Sequence, residues 1–191
     1  MSEINYAELK KNVIDFIKES QIKIGYTPNA VSLNYPVDSL NHLLRTNCTA
    51  EEMRSVLEAF NEYVKDDLGG IGYSFKAGKF CFTIPAVGAE YVHKNVKDSG
   101  FLTEFISLIT TRRNISIDDV LQVFRKYSDH VKCTAVDNDE FNYLIYFENG
   151  KPDNYRYCID LDLGHVTYHR ITPADYADLG FDDYNKNRHL H

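Results

Sequence analysis

TAEEMRSVLEAFNEYVKDDLGGIGYSFKAGKFCFTI, residues 49–84, changes its hydrophobic period partway along, and that change decides the fold. The stretch opens on a helix-start signal, Thr49 followed three residues later by Glu52. In that spacing, side chains and backbone satisfy each other's exposed donors. Met53, Val56, Leu57, Phe60, Tyr63 and Val64 then recur at helical spacing and predict an amphipathic helix over Ala50–Val64. DDLGG at 66–70 supplies the stop. Beyond it, Ile71–Phe75 and Phe80–Ile84 flank KAGK, and their alternation with Gly78 in the connection predicts a two-stranded hairpin.

Toward the N-terminus, Tyr6, Leu9, Val13, Phe16 and Ile17 place one apolar stripe on a helix over Tyr6–Ser20. GYTPN at 25–29 reads as a turn, Val31–Asn34 as a short strand, and Val37–Arg45 as a short helix with Pro36 in its first turn. The succession of elements over roughly the first half of the chain resembles a winged helix, a scaffold that supports DNA reading and protein contacts alike. Charge separates those two uses. Between Thr49 and Leu68 lie Glu51, Glu52, Glu58, Glu62, Asp66 and Asp67, against only Arg54 and Lys65. A helix in the major groove approaches phosphates and donates to base edges, a role that this acidic helix fits poorly. Lys76 and Lys79, in the hairpin turn, are too few to reverse the balance and read as solvent-facing turn residues.

Toward the C-terminus, residues 85–98 read as a connector holding a short helix at Val87–His93, and Phe101–Ile109 as a largely buried helix. Arg112 and Arg113 follow, where cations favour the carbonyl end of a helix, a better reading than an anion site. Ser116 and Asp119 open another helix, striped by Ile117, Val120, Leu121, Phe124 and Tyr127. The period then becomes that of strands at Val131–Ala135, Phe141–Phe147, Tyr155–Leu161 and His165–His169, separated by DNDE, ENGKPDN and DLG. Phe141, Tyr143, Ile145 and Phe147 are expected on one side, as are Tyr155, Tyr157, Ile159 and Leu161. Connections this short favour an antiparallel meander. Thr172 and Pro173 open a last short helix, and DDYNKNRHLH at 182–191 reads as a polar tail. The expected fold is therefore α+β. It comprises a winged-helix-like region at 1–95 with a small hairpin, an α+β module at 96–181 with a four-stranded antiparallel meander, and the tail.

Composition narrows the function classes. The net charge is −7, with 10 basic and 12 acidic side chains in residues 1–95 and 11 and 16 in residues 96–191. Neither half has the basic excess that extensive nucleic-acid or anionic-membrane binding requires. No apolar run reaches membrane-spanning length, and MSEINYAELKK lacks the apolar core of a signal peptide, so the expected location is cytoplasmic. The 14 tyrosines and 11 phenylalanines, with no tryptophan, supply core volume with polar tips and also material for a recognition surface.

The search for chemistry returns no catalytic, cofactor-binding or metal-ligating residue. Glycine-rich phosphate loops, close cysteine pairs and HExxH helices are all missing from the sequence. Cys48, Cys81, Cys133 and Cys158 are widely separated and read as ordinary buried thiols. Asp160, Asp162, His165 and His169 are the most metal-like local group. The two histidines, however, would stand about 13 Å apart along a regular strand, too far to clasp one ion. No local environment marks an activated nucleophile.

ISIDDVLQVFRKYSDHVK and DEFNYLIYFENGKPDNYRYCIDLDLGHVTYHRITPADY, with the overall length, resemble an uncharacterised family of small bacterial proteins described only as a domain of unknown function. The resemblance implies a bacterial origin and carries over no activity, ligand or functional residue. The reading that remains is a non-catalytic intracellular regulatory or protein-interaction module in which helices support a tyrosine-rich sheet, its edge or an aromatic patch open to a protein partner. Its rivals are a winged-helix DNA-binding transcription regulator and a small-molecule enzyme or sensor with a cleft between the two halves. A positive face built from Arg112, Arg113, Arg125, Lys126 and Lys132 would favour the regulator.

Overall fold

The computed structural model describes residues 3–136 and 138–180. Asp137 of the expected DNDE turn and the expected polar tail at 182–191 lie outside the described residues. The fold is α+β, and the chain divides into two compact units, Met1–Lys97 and Asp98–His191.

In the first unit the order is α1 (Tyr6–Ile24), β1 (Val31–Pro36), α2 (Val37–Leu44), α3 (Ala50–Leu68), β2 (Gly72–Lys76), β3 (Lys79–Ile84) and α4 (Ala86–Asn95). The strands form one antiparallel sheet in the order β1–β3–β2. Pro36 ends β1 and caps α2 instead of standing in its first turn. Helix α3 begins as its capping box dictates, with both reciprocal bonds between Thr49 and Glu52 formed. It runs past the expected last residue, Val64, into the DDLGG stop at 66–70, because Leu68 completes the buried stripe of Met53, Leu57, Phe60 and Val64. Gly69, at φ 74°, then closes it in a conformation that glycine adopts without steric cost. Tyr63 is not on that stripe; it is 50% exposed.

Leu9, Val13 and Ile17 of α1 join Leu40, Leu43 and Leu44 of α2 and the α3 stripe in one core beneath β3. Phe82 sits at its centre, its ring 4.8 Å from those of both Tyr35 and Tyr73. The buried Tyr35 hydroxyl donates to Asn12 Oδ1 at 2.9 Å, so its polar tip is satisfied inside the core.

The second unit runs α5 (Phe101–Thr111), α6 (Ile117–Tyr127), β4 (Val131–Ala135), β5 (Tyr143–Phe147), β6 (Arg156–Asp162), β7 (His165–Ile171) and α7 (Pro173–Asp178). The four strands form the expected antiparallel meander, β4–β5–β6–β7. One face carries Ile145, Phe147, Tyr157 and Ile159 and packs its rings on the helices. Phe101 lies 5.0 Å from Phe147, and Phe124 lies 5.1 Å from Tyr157.

The opposite face is also covered: Leu144 and Cys158 cluster with Val136, Phe141 and Tyr176 of α7. Phe141 therefore belongs with Leu144, not with Tyr143 as strict alternation predicts. The pleat begins only at Tyr143. Just before it, the Asn142 N–H donates to the Ile159 carbonyl (2.9 Å), while Asn142 Oδ1 accepts the Leu161 N–H (2.7 Å). Between β5 and β6, Gly150 takes φ 68°, Lys151–Pro152 is cis, and Asp153 Oδ1 accepts the Tyr155 N–H at 3.1 Å.

Candidate functional site

The exposed side of α3 is the most strongly charged element surface of the first unit. Glu51, Glu52, Arg54, Glu58, Glu62, Tyr63, Lys65 and Asp66 are exposed along it, because the buried stripe consumes the other side of the helix. Local bonds organise part of this charge. Glu52 accepts the Thr49 backbone N–H at 2.8 Å, and that bond, followed by the Thr49 hydroxyl, holds its carboxyl below the ordinary carboxylate range. Glu62 pairs with Lys65 at 2.5 Å, and Asp67 turns inward to meet Lys10 of α1. Glu51, Glu58 and Asp66 project outward. The Arg54 guanidinium lies 6.0 Å from the Phe80 ring, toward the hairpin.

That hairpin offers little counter-charge. Lys76 and Lys79 face each other across its two-residue turn, where Ala77 and Gly78 take φ 51° and 76°. Near the other end of α3, Tyr63 joins Asn5, Tyr6 and Arg45 around an open surface depression of about 460 Å³.

The cationic residues toward the C-terminus do not gather into one positive face. Arg112 pairs with Asp119 at 2.8 Å, so it serves the start of α6 as well as the end of α5. Lys126 pairs with Glu104 at 2.7 Å, and the Tyr127 hydroxyl donates to the same carboxylate at 2.8 Å. Arg125 belongs to α6, which packs on the helix side of the sheet through Phe124 and Tyr157, whereas Lys132 points to the opposite face.

The second unit buries one polar cluster that sequence inspection missed. The Tyr157 hydroxyl donates to Asp153 Oδ2 at 2.6 Å, and the Arg170 guanidinium stands 3.8 Å from the same carboxylate and 4.4 Å from the centre of the Tyr155 ring. Burial drives the Tyr157 phenol well above its ordinary range. Asp153 and Arg170 lie 17 residues apart, on a loop and on β7, and only the β6–β7 register, which sets Arg170 opposite Tyr157, unites them. The cluster ties the β5–β6 loop to the sheet.

The metal-like group is dispersed. In the β6–β7 register Asp162 stands opposite His165, Asp160 opposite Thr167 and His169 opposite Cys158. Among the described residues, no three His, Cys, Asp or Glu side chains are placed to hold a metal ion. Cys158 alone among the cysteines is buried, and burial pushes its thiol up to about 11; Cys48, Cys81 and Cys133 are half-buried, a correction to the expectation that all four are core residues. Of the tyrosines in and beside the sheet, Tyr155 and Tyr157 are buried and Tyr143, Tyr146 and Tyr168 are half-buried. No helix among the described residues is long and apolar enough to cross a membrane.

Residues 6–180 match a family described as a domain of unknown function, E. rectale gene description (DUF3877). No curated protein and no solved structure matches the chain.

Proposed function

The chain belongs to the DUF3877 family, a bacterial family of unknown function, and from that premise we propose that it is a non-catalytic intracellular protein-interaction module with regulatory character. The element order of the first unit, α1–β1–α2–α3–β2–β3–α4, and its sheet order, β1–β3–β2, support reading it as winged-helix-like. In DNA-binding members of that architecture, the helix at the position of α3 enters the major groove. The acidity of the exposed α3 face is the observation that carries the proposal. Each carboxylate brought within about 6 Å of a phosphate costs roughly 0.7 kcal/mol even at the dielectric of water, and more beside the low-dielectric protein. A basic protein surface inverts that sign. Carboxylates with a half-exposed aromatic, Tyr63, at one end suit such a partner.

The test combines capture and exclusion. Full-length protein bearing E51K, E58K and D66K together is compared with the parent by cross-linking in the bacterial cell, and both are titrated against a 30-base-pair duplex from low to physiological salt. The expected result is a cross-linked protein partner lost in the triple variant, with no duplex binding by the parent. Duplex binding by the parent at low salt, or a partner retained undiminished by the triple variant, overturns the proposal.

A further inference from the structure

A cross-strand row on the outer face of the four-stranded sheet has the opposite charge. Lys132 of β4 stands opposite Tyr146 of β5. The adjoining registers, Ile145 with Tyr157 and Arg156 with Ile171, extend the row through Arg156 of β6 to Ile171 of β7. Side chains in one row share a face.

The Arg156 guanidinium carbon is 3.9 Å from the centroid of the Tyr146 ring. At that distance it is a close cation–π contact. A guanidinium stacked on a ring at such a distance can still offer its N–H edge to a carboxylate through two parallel bonds. Lys132 is exposed on the edge strand, two strand spacings or roughly 10 Å from Arg156 between backbones. No carboxylate of a described residue forms an ion pair with Lys132 or Arg156. Ile171 and Tyr146, on either side of Arg156 in the row, are half-buried against the cluster around Tyr176. Glu148, two residues beyond Tyr146 and exposed, bounds one side of the row with a like charge for an acidic ligand.

We propose that this row docks an acidic segment of a partner protein, with one carboxylate held in the Arg156 fork and a second at Lys132. The surface is independent of α3 and would recognise chemistry of the opposite sign. A nucleic acid fits it less well. Base stacking needs an open aromatic face, but Tyr146 is covered by Arg156 and half-buried in the sheet. Two cations on a chain of net charge −7 also provide little of the counterion release that drives polyanion binding.

The probe is a fluorescein-labelled ten-residue peptide of Glu, Asp and Leu, followed by anisotropy with the full chain at 50 mM salt. Saturable binding is expected, weakened about tenfold or more by K132Q with R156Q. R156K, which keeps the charge but loses the fork, is expected to weaken it several-fold, and K76Q with K79Q to leave it unchanged. Lys132→Glu changes only the exposed edge residue, so its loss of binding does not depend on the Arg156–Tyr146 stack surviving substitution. Lack of binding by the parent, binding unaffected by K132E, or tighter binding of a ten-nucleotide single strand than of the peptide would overturn the proposal.

Discussion

Replacing Gly88 with alanine sets helix propensity against packing, and the structure says which wins. Gly88 is the third residue of α4 and is buried. A Cβ built there lies 2.4 Å from the Leu68 carbonyl oxygen, 2.6 Å from Ile84 Cγ2 and 3.1 Å from the Leu68 carbonyl carbon. Propensity alone would stabilise the helix by about 1 kcal/mol. Against it stands overpacking, which costs about 1–3 kcal/mol where neighbours can shift. Here the nearest atom is backbone, at the last turn of α3, held by the Gly69 N–H bond to the Lys65 carbonyl at 3.0 Å. The cost therefore falls at the upper end, for a net loss of about 2 kcal/mol. In a unit of this size that loss lowers Tm by roughly 10 °C. Circular-dichroism melting of the full chain measures the shift, and hydrogen exchange assigns it to the amides of α3 and α4. Gly70→Ala, whose Cβ would meet nothing within 4 Å, is the neutral control. A G88A protein as stable as the parent would refute the close α3–α4 approach.

The remaining predictions concern the second unit and the caps. Tyr157→Phe removes a donor to the half-buried Asp153 carboxylate and should cost about 1–3 kcal/mol in denaturant unfolding; a neutral effect would mean that the cluster holds nothing together. Leu163 sits at φ 47° in the β6–β7 turn and is 88% exposed, so Leu163→Asn should raise stability by up to about 1 kcal/mol; destabilisation would contradict the left-handed turn. Hydrogen bonds, the backbone one foremost, depress the carboxyls of Glu52 and Asp119 in the folded state. Their contribution is thus complete above the ordinary carboxylate range and disappears as pH falls through the lowered values. The acid limb of the stability profile should flatten in E52Q with D119N; an unchanged limb would rule out this linkage. Because its thiol is pushed up to about 11, Cys158 should resist iodoacetamide at pH 8 until the protein is unfolded, and prompt native-state labelling in a peptide map would contradict its burial.

Local pattern carried much of the architecture. The Thr49–Glu52 and Ser116–Asp119 spacings located two helix starts, because a capping box is complete within four residues. Apolar periods of 3.6 and 2 marked helices and strands, and connections too short for crossovers implied the meander. Failures came where a distant partner overrode the local rule. Leu68 extended α3 by completing a stripe against other elements, and Tyr63, at a plausible helical position, fell outside it. Phe141 followed the α7 cluster instead of its strand's alternation.

The acidity of α3 is a property of sequence alone, since exposure of those side chains follows from an amphipathic helix whose other side is apolar. The union of Asp153, Tyr157 and Arg170, the division of Arg125 and Lys132 between two sheet faces, and the Lys132–Tyr146–Arg156 row came only from tertiary structure. Those juxtapositions depend on strand register and on packing between segments far apart in the chain, and a shift of one residue would send each side chain to the other face of the sheet.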